Sequence, residues 1–181
     1  MCFHATHETD ETLARRGCRD CFTVLYERHR GAMARYVREA FLSDFDDALE
    51  IEDEAWKKAF EHRGTYGGDR PFRAWLIAIA RHQALNHLRH ARKAPPPRDL
   101  LRPDEPSPVD RAERLESRER CARLVRSLPS HLREPFFLRV VLDLTPSDIA
   151  DLLRLPVSTV RGRLFRARKA IAESARERVM P

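Results

Sequence analysis

Apolar residues recur at helical spacing through the first half of the chain, with no run that alternates apolar and polar residues as a half-buried strand does. One stripe begins with Phe22, Leu25 and Tyr26. A second stripe comprises Phe72, Leu76, Ile79, Ala80 and Leu88. The pattern predicts an all-helical first domain over residues 21–93, preceded by an N-terminal tail over residues 1–20.

One conspicuous break interrupts this helical pattern. The segment Arg63–Pro71, RGTYGGDRP, holds three glycines and a proline between two stretches that are rich in helix-forming residues. Glycine and proline favour turns and loops, the first by its freedom and the second by its rigidity. We therefore predict an ordered loop here, with the aromatic side chain of Tyr66 exposed on it.

A second break divides the chain. Residues 94–110 contain six of its 12 prolines and almost no aliphatic side chains, so this stretch is expected to be extended and to form no core. Beyond it, residues 111–127 are predicted to form a helix, and several more helices follow to about Arg178. The predicted fold is all-α, with two small helical domains joined by a Pro-rich linker and the second domain spanning residues 111–181.

The segment Thr145–Ile171 has the layout of a helix-turn-helix. Its turn is predicted at Leu155–Val157, and Ser158 is placed to cap the helix that follows. The first helix presents the apolar residues Ile149, Ala150, Leu152 and Leu153. One face of the second helix carries Val160, Leu164, Ala167 and Ile171. The opposite face is left for a ligand.

That opposite face is strongly basic. It carries Arg161, Arg163, Arg166, Arg168 and Lys169. No acidic residue lies between Val160 and Ala172. Like charges at such spacing repel each other unless an anion lies opposite, and a helix fits the major groove of DNA. A basic face that merely contacts solvent would look similar, but the preceding helix and turn favour DNA as the ligand.

The whole run Ser127–Ile171 resembles region four of the extracytoplasmic-function (ECF) sigma factors, the small alternative sigma subunits of bacterial RNA polymerase. It matches that family at Leu128–Pro129, Phe136–Arg139, Ile149–Ala150 and Val157–Lys169. The resemblance implies that this motif reads the upstream promoter element. The implied DNA contacts are Ser158, Thr159, Arg161, Gly162, Arg163, Phe165, Arg166 and Arg168. Gly162 stands where the family commonly has serine.

The first domain is similar to region two of the same family. Residues 48–60 align without gaps to the family's acidic and aromatic helix, which binds the clamp coiled coil of the polymerase β′ subunit. The implied polymerase contacts are Glu50, Asp53, Glu54 and Lys57, and the family usually has glutamine in place of Asp53. The spacing agrees, because Ile51, Ala55 and Ala59 fall on one inward face and leave the charged residues exposed.

Residues 67–81 are similar to the family's loop and helix for the downstream promoter element, in which the loop captures a base flipped out of the non-template strand. Stacking and hydrogen bonds offset the cost of extracting the base. The implied contacts for this element and for melting are Tyr66, Asp69, Arg70, Arg73, Trp75, Arg81, Asn86 and Arg89. Trp75 is equally compatible with core packing. We interpret His82, His87 and His90 as polar residues on the DNA side.

The resemblance implies three partners. Core RNA polymerase is expected to bind through its β′ clamp coiled coil and its β subunit, and promoter DNA is expected in both duplex and single-stranded form. An anti-sigma factor is the third. The linker is placed to pass through the polymerase cleft toward the RNA exit channel.

Composition is consistent with this hypothesis. The net charge is +6, and arginine supplies nearly all of the positive charge, with guanidinium forks that suit phosphates and base edges. No Ser/His/Asp arrangement or phosphate-binding Gly loop points to catalysis, so we expect neither enzyme activity nor a cofactor. No stretch has the roughly 20 apolar residues that a membrane span requires. We expect a cytoplasmic protein without membrane insertion.

Two alternatives remain open at this point. The first is an ordinary DNA-binding regulator that uses its first domain for sensing or dimerisation. The second is a zinc-dependent redox module built on Cys18 and Cys21 with His4 and His7. A lone CxxC is weak support for a metal site. We expect instead that no metal binds, that Cys21 packs at the start of the first helix and that Cys18 is exposed.

Overall fold

The structure, a computed structural model, describes residues 7–41, 45–91 and 123–177. Within these ranges the chain is helical, contains no strand, and has no helix that combines the length and apolar character needed to cross a membrane. The helices are α1 (Asp10–Arg16), α2 (Arg19–Phe41), α3 (Phe45–Glu61), α4 (Phe72–Ala91), α5 (Ser130–Val140), α6 (Pro146–Leu153) and α7 (Val157–Glu177), with a 3-10 turn at Arg63–Thr65. The all-α class is confirmed. The Pro-rich linker and most of the helix predicted over residues 111–127 lie outside the described residues, although residues 123–126 are helical.

The first domain begins earlier than the sequence pattern predicts. Helix α1 lies within the expected tail, and its Leu13 and Ala14 are buried in the domain core. Thr9 caps the helix through its side-chain oxygen, and Gly17 ends it in the left-handed conformation at φ 61°. The prediction of a tail is therefore wrong for residues 10–16, because two apolar side chains are too few to form a recognisable stripe.

Helices α1 to α4 share one core. The stripe predicted on α4 is confirmed at Phe72, Leu76 and Ala80, and its other two members are half-buried. The ring of Phe22 on α2 meets that of Phe72 edge to face, with 6.2 Å between centroids. This packing fixes the start of α4, and with it the end of the predicted loop.

The second domain contains the predicted helix-turn-helix, with α5 packed behind it. Thr145 and Asp148 form a capping box at the start of α6, and Arg154 ends that helix at φ 54°. The inner faces of α6 and α7 bury Ile149, Ala150, Val160, Leu164 and Ala167. Both apolar stripes predicted for the motif are thereby confirmed in their central members.

The two domains are joined by charged contacts. Arg126 donates two hydrogen bonds to the Glu39 carboxylate, each 2.6 Å long. Arg133 is only 7% exposed and donates to the backbone carbonyls of Ala40, Arg126 and Leu128. Buried charges are costly unless they have partners. The bonds of Arg126 to Glu39 and of Arg133 to Ala40 join α2 to the second domain.

Candidate nucleic-acid and polymerase interfaces

Helix α7 presents the surface predicted to read the upstream element. Burial of Val160, Leu164 and Ala167 turns the opposite face outward. The exposed residues there are Ser158, Arg161, Gly162, Phe165, Arg166 and Arg168, while Thr159 and Arg163 are half-buried. Phe165 is 69% exposed, which leaves most of an aromatic ring in water. A single exposed apolar side chain is common on protein surfaces, so the arginines around Phe165 are what favour an anionic ligand on this face.

Ser158 does not cap α7. The helix begins at Val157, so Pro156 precedes it and Ser158 lies in the first turn. The helix begins two residues earlier than predicted, and the Val160 N–H donates to the Pro156 carbonyl at 3.1 Å. The exposed Ser158 is thus available to a ligand.

Helix α3 carries the residues predicted to bind polymerase. Its inward positions are buried as predicted, at Ile51, Ala55 and Ala59. The charged residues lie on the other side, with Glu50, Asp53 and Lys57 exposed and Glu54 half-buried. Glu54 lies 3.9 Å from the Nζ atoms of both Lys57 and Lys58. Such surface pairs contribute about 0–1 kcal/mol, so a partner can replace them at little cost.

A shallow groove between α2 and α3 adjoins this acidic face. It is lined by Gly31, Ala34, Arg35, Arg38, Ala48, Leu49 and Glu52. Glu52 is 7% exposed, and burial, followed by the charge of Asp53, raises the pKa of its carboxyl. Sequence reasoning did not separate Glu52 from the exposed acids beside it, because helical spacing places it only at the edge of the buried stripe.

The loop Arg63–Pro71 is ordered around Tyr66, and the exposure predicted for this residue is wrong. Tyr66 is 6% exposed and its hydroxyl donates to the Arg70 carbonyl at 2.8 Å. Its ring centroid lies 5.7 Å from that of Phe72 and 5.6 Å from that of Trp75. Trp75 is itself only 5% exposed, so core packing is the correct one of its two interpretations. Three aromatic rings bury each other here, and neither Tyr66 nor Trp75 offers a free face to a base.

The accessible surface of the loop is polar. Asp69 and Arg70 are exposed beside Gly67 and Gly68. Gly68 has φ 77°, a conformation that residues with a Cβ rarely adopt. Asp69 and Arg70 are therefore the charged side chains that the loop presents to solvent.

Helix α1 contacts this loop through two residues that sequence reasoning missed. Glu11 Oε1 accepts the backbone N–H of Phe72 at 3.3 Å, and Arg15 Nη2 approaches the Gly68 carbonyl at 3.5 Å. No sequence pattern links positions that are more than 50 residues apart. Only the fold, which sets α1 beside the loop, brings them together.

The C-terminal part of α4 holds a set of polar side chains. Asn86 accepts a hydrogen bond from Arg89 at 3.1 Å, and its amide lies 3.3 Å from the Nδ1 atom of His82. Arg89, His82 and His90 are exposed. These residues lie on an accessible face, as the DNA-binding interpretation requires.

His87 differs from its neighbours. Its Nε2 atom lies 3.1 Å from Asp47 Oδ1 on α3, so His87 has a partner within the protein, and its interpretation as a DNA-side residue stays a prediction. Asp47, Glu50 and His87 bring atoms of metal-ligand type within 4.8 Å of one another. Two of the three, His87 and Asp47, contact each other directly.

Arg73 and Arg81 on α4 extend toward the second domain. Arg73 donates to the Leu142 carbonyl at 2.9 Å, and Arg81 donates to Glu134 Oε1 at 2.8 Å. The same Glu134 oxygen accepts the hydroxyl of the buried Tyr36 at 3.0 Å. In this arrangement both arginines are engaged within the protein rather than free for DNA.

Cys18 and Cys21 lie close together at the start of α2, and the burial predicted for them is correct only for Cys21. Cys21 is buried, as expected, whereas Cys18 is half-buried rather than exposed and packs against the core. The backbone N–H of Cys21 lies 3.2 Å from Cys18 Sγ, a local contact at the start of α2. His4 lies outside the described residues.

Comparison with known protein families covers both domains. A family model described as Sigma-70 region 2 matches residues 25–94, and one described as Sigma-70, region 4 matches residues 118–171. The alternative of an ordinary DNA-binding regulator that uses its first domain for sensing or dimerisation is therefore wrong.

Among curated proteins, the RNA polymerase sigma-H factor of Pseudomonas aeruginosa is 34% identical over 185 residues, spanning 92% of this chain and 93% of the relative. The ECF RNA polymerase sigma-E factor of Escherichia coli K12 is 32% identical over 180 residues, spanning 90% and 92%.

Solved structures agree with the sequence comparisons. CnrH, solved with the cytosolic domain of CnrY, matches with a TM-score of 0.69 and 25% identity, over 94% of this chain and 99% of that one. RpoE of Bartonella quintana, solved with the anti-sigma factor NepR, has a TM-score of 0.62 at 17% identity over 87% of this chain and 98% of that one, a likeness of fold alone. The chain belongs to the ECF family of RNA polymerase sigma factors, and it is an alternative sigma factor, a subunit without enzyme activity that binds core polymerase and promoter DNA to initiate transcription.

Proposed function

We propose that the first domain docks on the clamp coiled coil of β′ through the outer face of α3, and that the second domain contacts the β subunit. The β′ contacts are Glu50, Asp53, Glu54 and Lys57. Exposure of these charges opposite a buried apolar stripe supports the assignment. Exposed charges of this kind guide association and set the register of the complex.

Helix α7 reads the upstream element from the major groove. The observation that carries this assignment is the outward face on which Phe165 lies between Arg161 and Arg166, all three exposed. An arginine that forks onto guanine discriminates against other bases by roughly 1–3 kcal/mol. Among the residues that the structure describes, no atom outside its own helix lies within 4 Å of the place where a Cβ would stand on Gly162. A serine fits there, and its absence removes one polar contact.

The loop Arg63–Pro71 captures a base of the opened downstream element. Asp69 and Arg70 supply the polar contacts, since both are exposed. Tyr66 and Trp75 act from within by holding the loop in shape, because their rings are buried. Asn86 and Arg89 contact DNA farther along α4.

Arg73 and Arg81 require the domains to separate before they contact DNA. Their guanidinium groups bind Leu142 and Glu134 of the second domain, and a phosphate must replace those acceptors. We infer that the arrangement in which Arg73 and Arg81 contact the second domain is that of the free protein, not bound to polymerase. Docking of the first domain on β′ and of the second on β then holds the two domains apart. This takes place in the cytoplasm, where polymerase and chromosome are found.

An anti-sigma protein is the proposed regulator. The solved relatives CnrH and RpoE are complexes with the cytosolic domain of CnrY and with the anti-sigma factor NepR. The groove between α2 and α3 adjoins the proposed β′ contacts, so a partner bound there would compete with polymerase.

Transcription with purified core polymerase tests the proposal. Core polymerase with this chain is expected to start transcripts at defined sites in a library of random upstream sequences, whereas core polymerase alone does not. A chain that binds the library DNA but leaves initiation by core polymerase unchanged would contradict the function.

A further inference from the structure

Helix α1 contacts the start of α4, where the loop Arg63–Pro71 ends. The first N–H groups of any helix have no acceptor within the helix. Pro71 precedes α4 and has no side-chain acceptor to offer. Glu11 of α1 supplies one instead, because its Oε1 accepts the N–H of Phe72 at 3.3 Å. A residue 61 positions away thus supplies the acceptor for an N–H group at the start of α4.

Helix α1 also contacts the middle of the loop. The Arg15 guanidinium lies against Gly68 and occupies the space where a Cβ on that residue would stand. Its Nη2 atom points to the Gly68 carbonyl at 3.5 Å. Arg15 and the absence of a side chain at Gly68 therefore define this turn together.

A third contact lies at the beginning of the loop. Arg63 Nε donates to the carbonyl of Gly17, which ends α1, at 2.9 Å, and Arg63 Nη1 donates to the Phe60 carbonyl at 2.7 Å. The loop is thus held by α1 at its beginning, middle and end.

Helix α1 is itself anchored away from the loop. Leu13 and Ala14 are buried, and Asp10 accepts a 2.7 Å hydrogen bond from Arg28 of α2 and lies 2.7 Å from the His29 ring. Asp69 and Arg70, on the outer side of the loop, stay exposed.

We propose that α1 is the element that positions the base-capture loop, with Glu11 and Arg15 as positioning residues for promoter opening. This rests on the proposed capture role of the loop. A loop already held in its binding shape loses less conformational freedom when it takes up a base, and so captures the base more often. Neither residue needs to touch DNA.

The experiment compares full-length holoenzymes carrying Glu11→Ala, Glu11→Gln and Arg15→Ala on a promoter selected with the parent. Arg16→Ala is the matched control, because Arg16 lies on the same helix but pairs with Glu8 instead of the loop. Open complexes are scored by permanganate reactivity and closed complexes by filter binding. Losing one such hydrogen bond should reduce open complexes roughly two- to tenfold with unchanged closed-complex affinity. Glu11→Gln keeps the acceptor oxygen and should restore opening.

Asp69→Ala in the same assay distinguishes base capture by the loop from positioning of the loop by α1. If Asp69→Ala opens like the parent, the capture role fails. If Asp69→Ala reduces opening while Glu11→Ala and Arg15→Ala open like the parent, only the role of α1 fails. Failure of Glu11→Gln to restore opening, or an equal loss of closed complexes, would also overturn the positioning role, because a purely structural defect affects both stages.

Discussion

Arg81 of α4 donates a 2.8 Å hydrogen bond to Glu134 of α5, which pairs an expected DNA contact with a carboxylate of the other domain. Glu134→Ala should leave Arg81 and Tyr36 without this acceptor and cost about 1–3 kcal/mol of domain contact. The distance between fluorophores on the two domains of the free protein should therefore increase.

Asp143→Ala is the control for this change, since Asp143 is 76% exposed and pairs with Arg139 within the second domain. An interdomain distance that is the same in the parent and Glu134→Ala would show that the pair does not hold the domains together.

The buried Tyr36 makes stability depend on pH. Burial, and then the charge of Glu134, raises the pKa of its hydroxyl well above the ordinary value. The folded state therefore holds this proton more tightly, and the contribution to stability is complete below about pH 10 and is lost as pH rises above it. The free energy of urea unfolding should fall more steeply above about pH 10 in the parent than in Tyr36→Phe. Parallel slopes would count against the buried hydroxyl.

Substitutions of Tyr66 and Asp69 should have different effects on the stability of the first domain and on promoter opening. Tyr66→Ala removes a ring packed against Phe72 and Trp75 and should destabilise the first domain by about 3–5 kcal/mol. Asp69→Ala alters an exposed side chain and should change stability by less than about 0.5 kcal/mol while reducing open complexes. Thermal unfolding and permanganate footprints measure the two effects. Comparable unfolding temperatures for both variants would refute the buried position of Tyr66.

Charge reversal tests the α3 docking face. Glu50→Arg combined with Glu54→Arg should weaken binding to core polymerase at least tenfold, or roughly 1.4 kcal/mol. The two arginines should repel a partner surface that is complementary to the acidic face of α3. Asp143→Arg, a single charge reversal on the other domain, should bind like the parent. Affinity at moderate salt is the measurement, and equal affinities for all three proteins would place the docking face elsewhere.

The sequence predicted best what depends on neighbouring positions. The inward residues of α7, such as Val160 and Leu164, and those of α3, such as Ile51, follow from helical spacing alone. The outer faces of α3 and α7 lie opposite these buried stripes. The family resemblance then assigned polymerase to the first face and DNA to the second.

Contacts between distant positions were not predictable in the same way. Tyr66 was expected to be exposed because its neighbours are glycine and threonine, yet its environment is made by Phe72 and Trp75. The pair Glu39 and Arg126 joins positions 87 apart. Local patterns carry no information about such pairs, since tertiary packing decides them.

Sequencing of transcripts from a promoter library randomised at both elements tests the account most directly. Holoenzymes with the parent chain, Arg161→Ala, Arg166→Ala and Asp69→Ala are compared. At least one of the two α7 variants should lose a base preference in the upstream element while keeping the downstream preference, since an arginine on a base edge discriminates by roughly 1–3 kcal/mol. Asp69→Ala should lose a base preference in the downstream element while keeping the upstream preference. Parental preferences at both elements in all three variants would contradict the assignment of α7 and the loop to the two promoter elements.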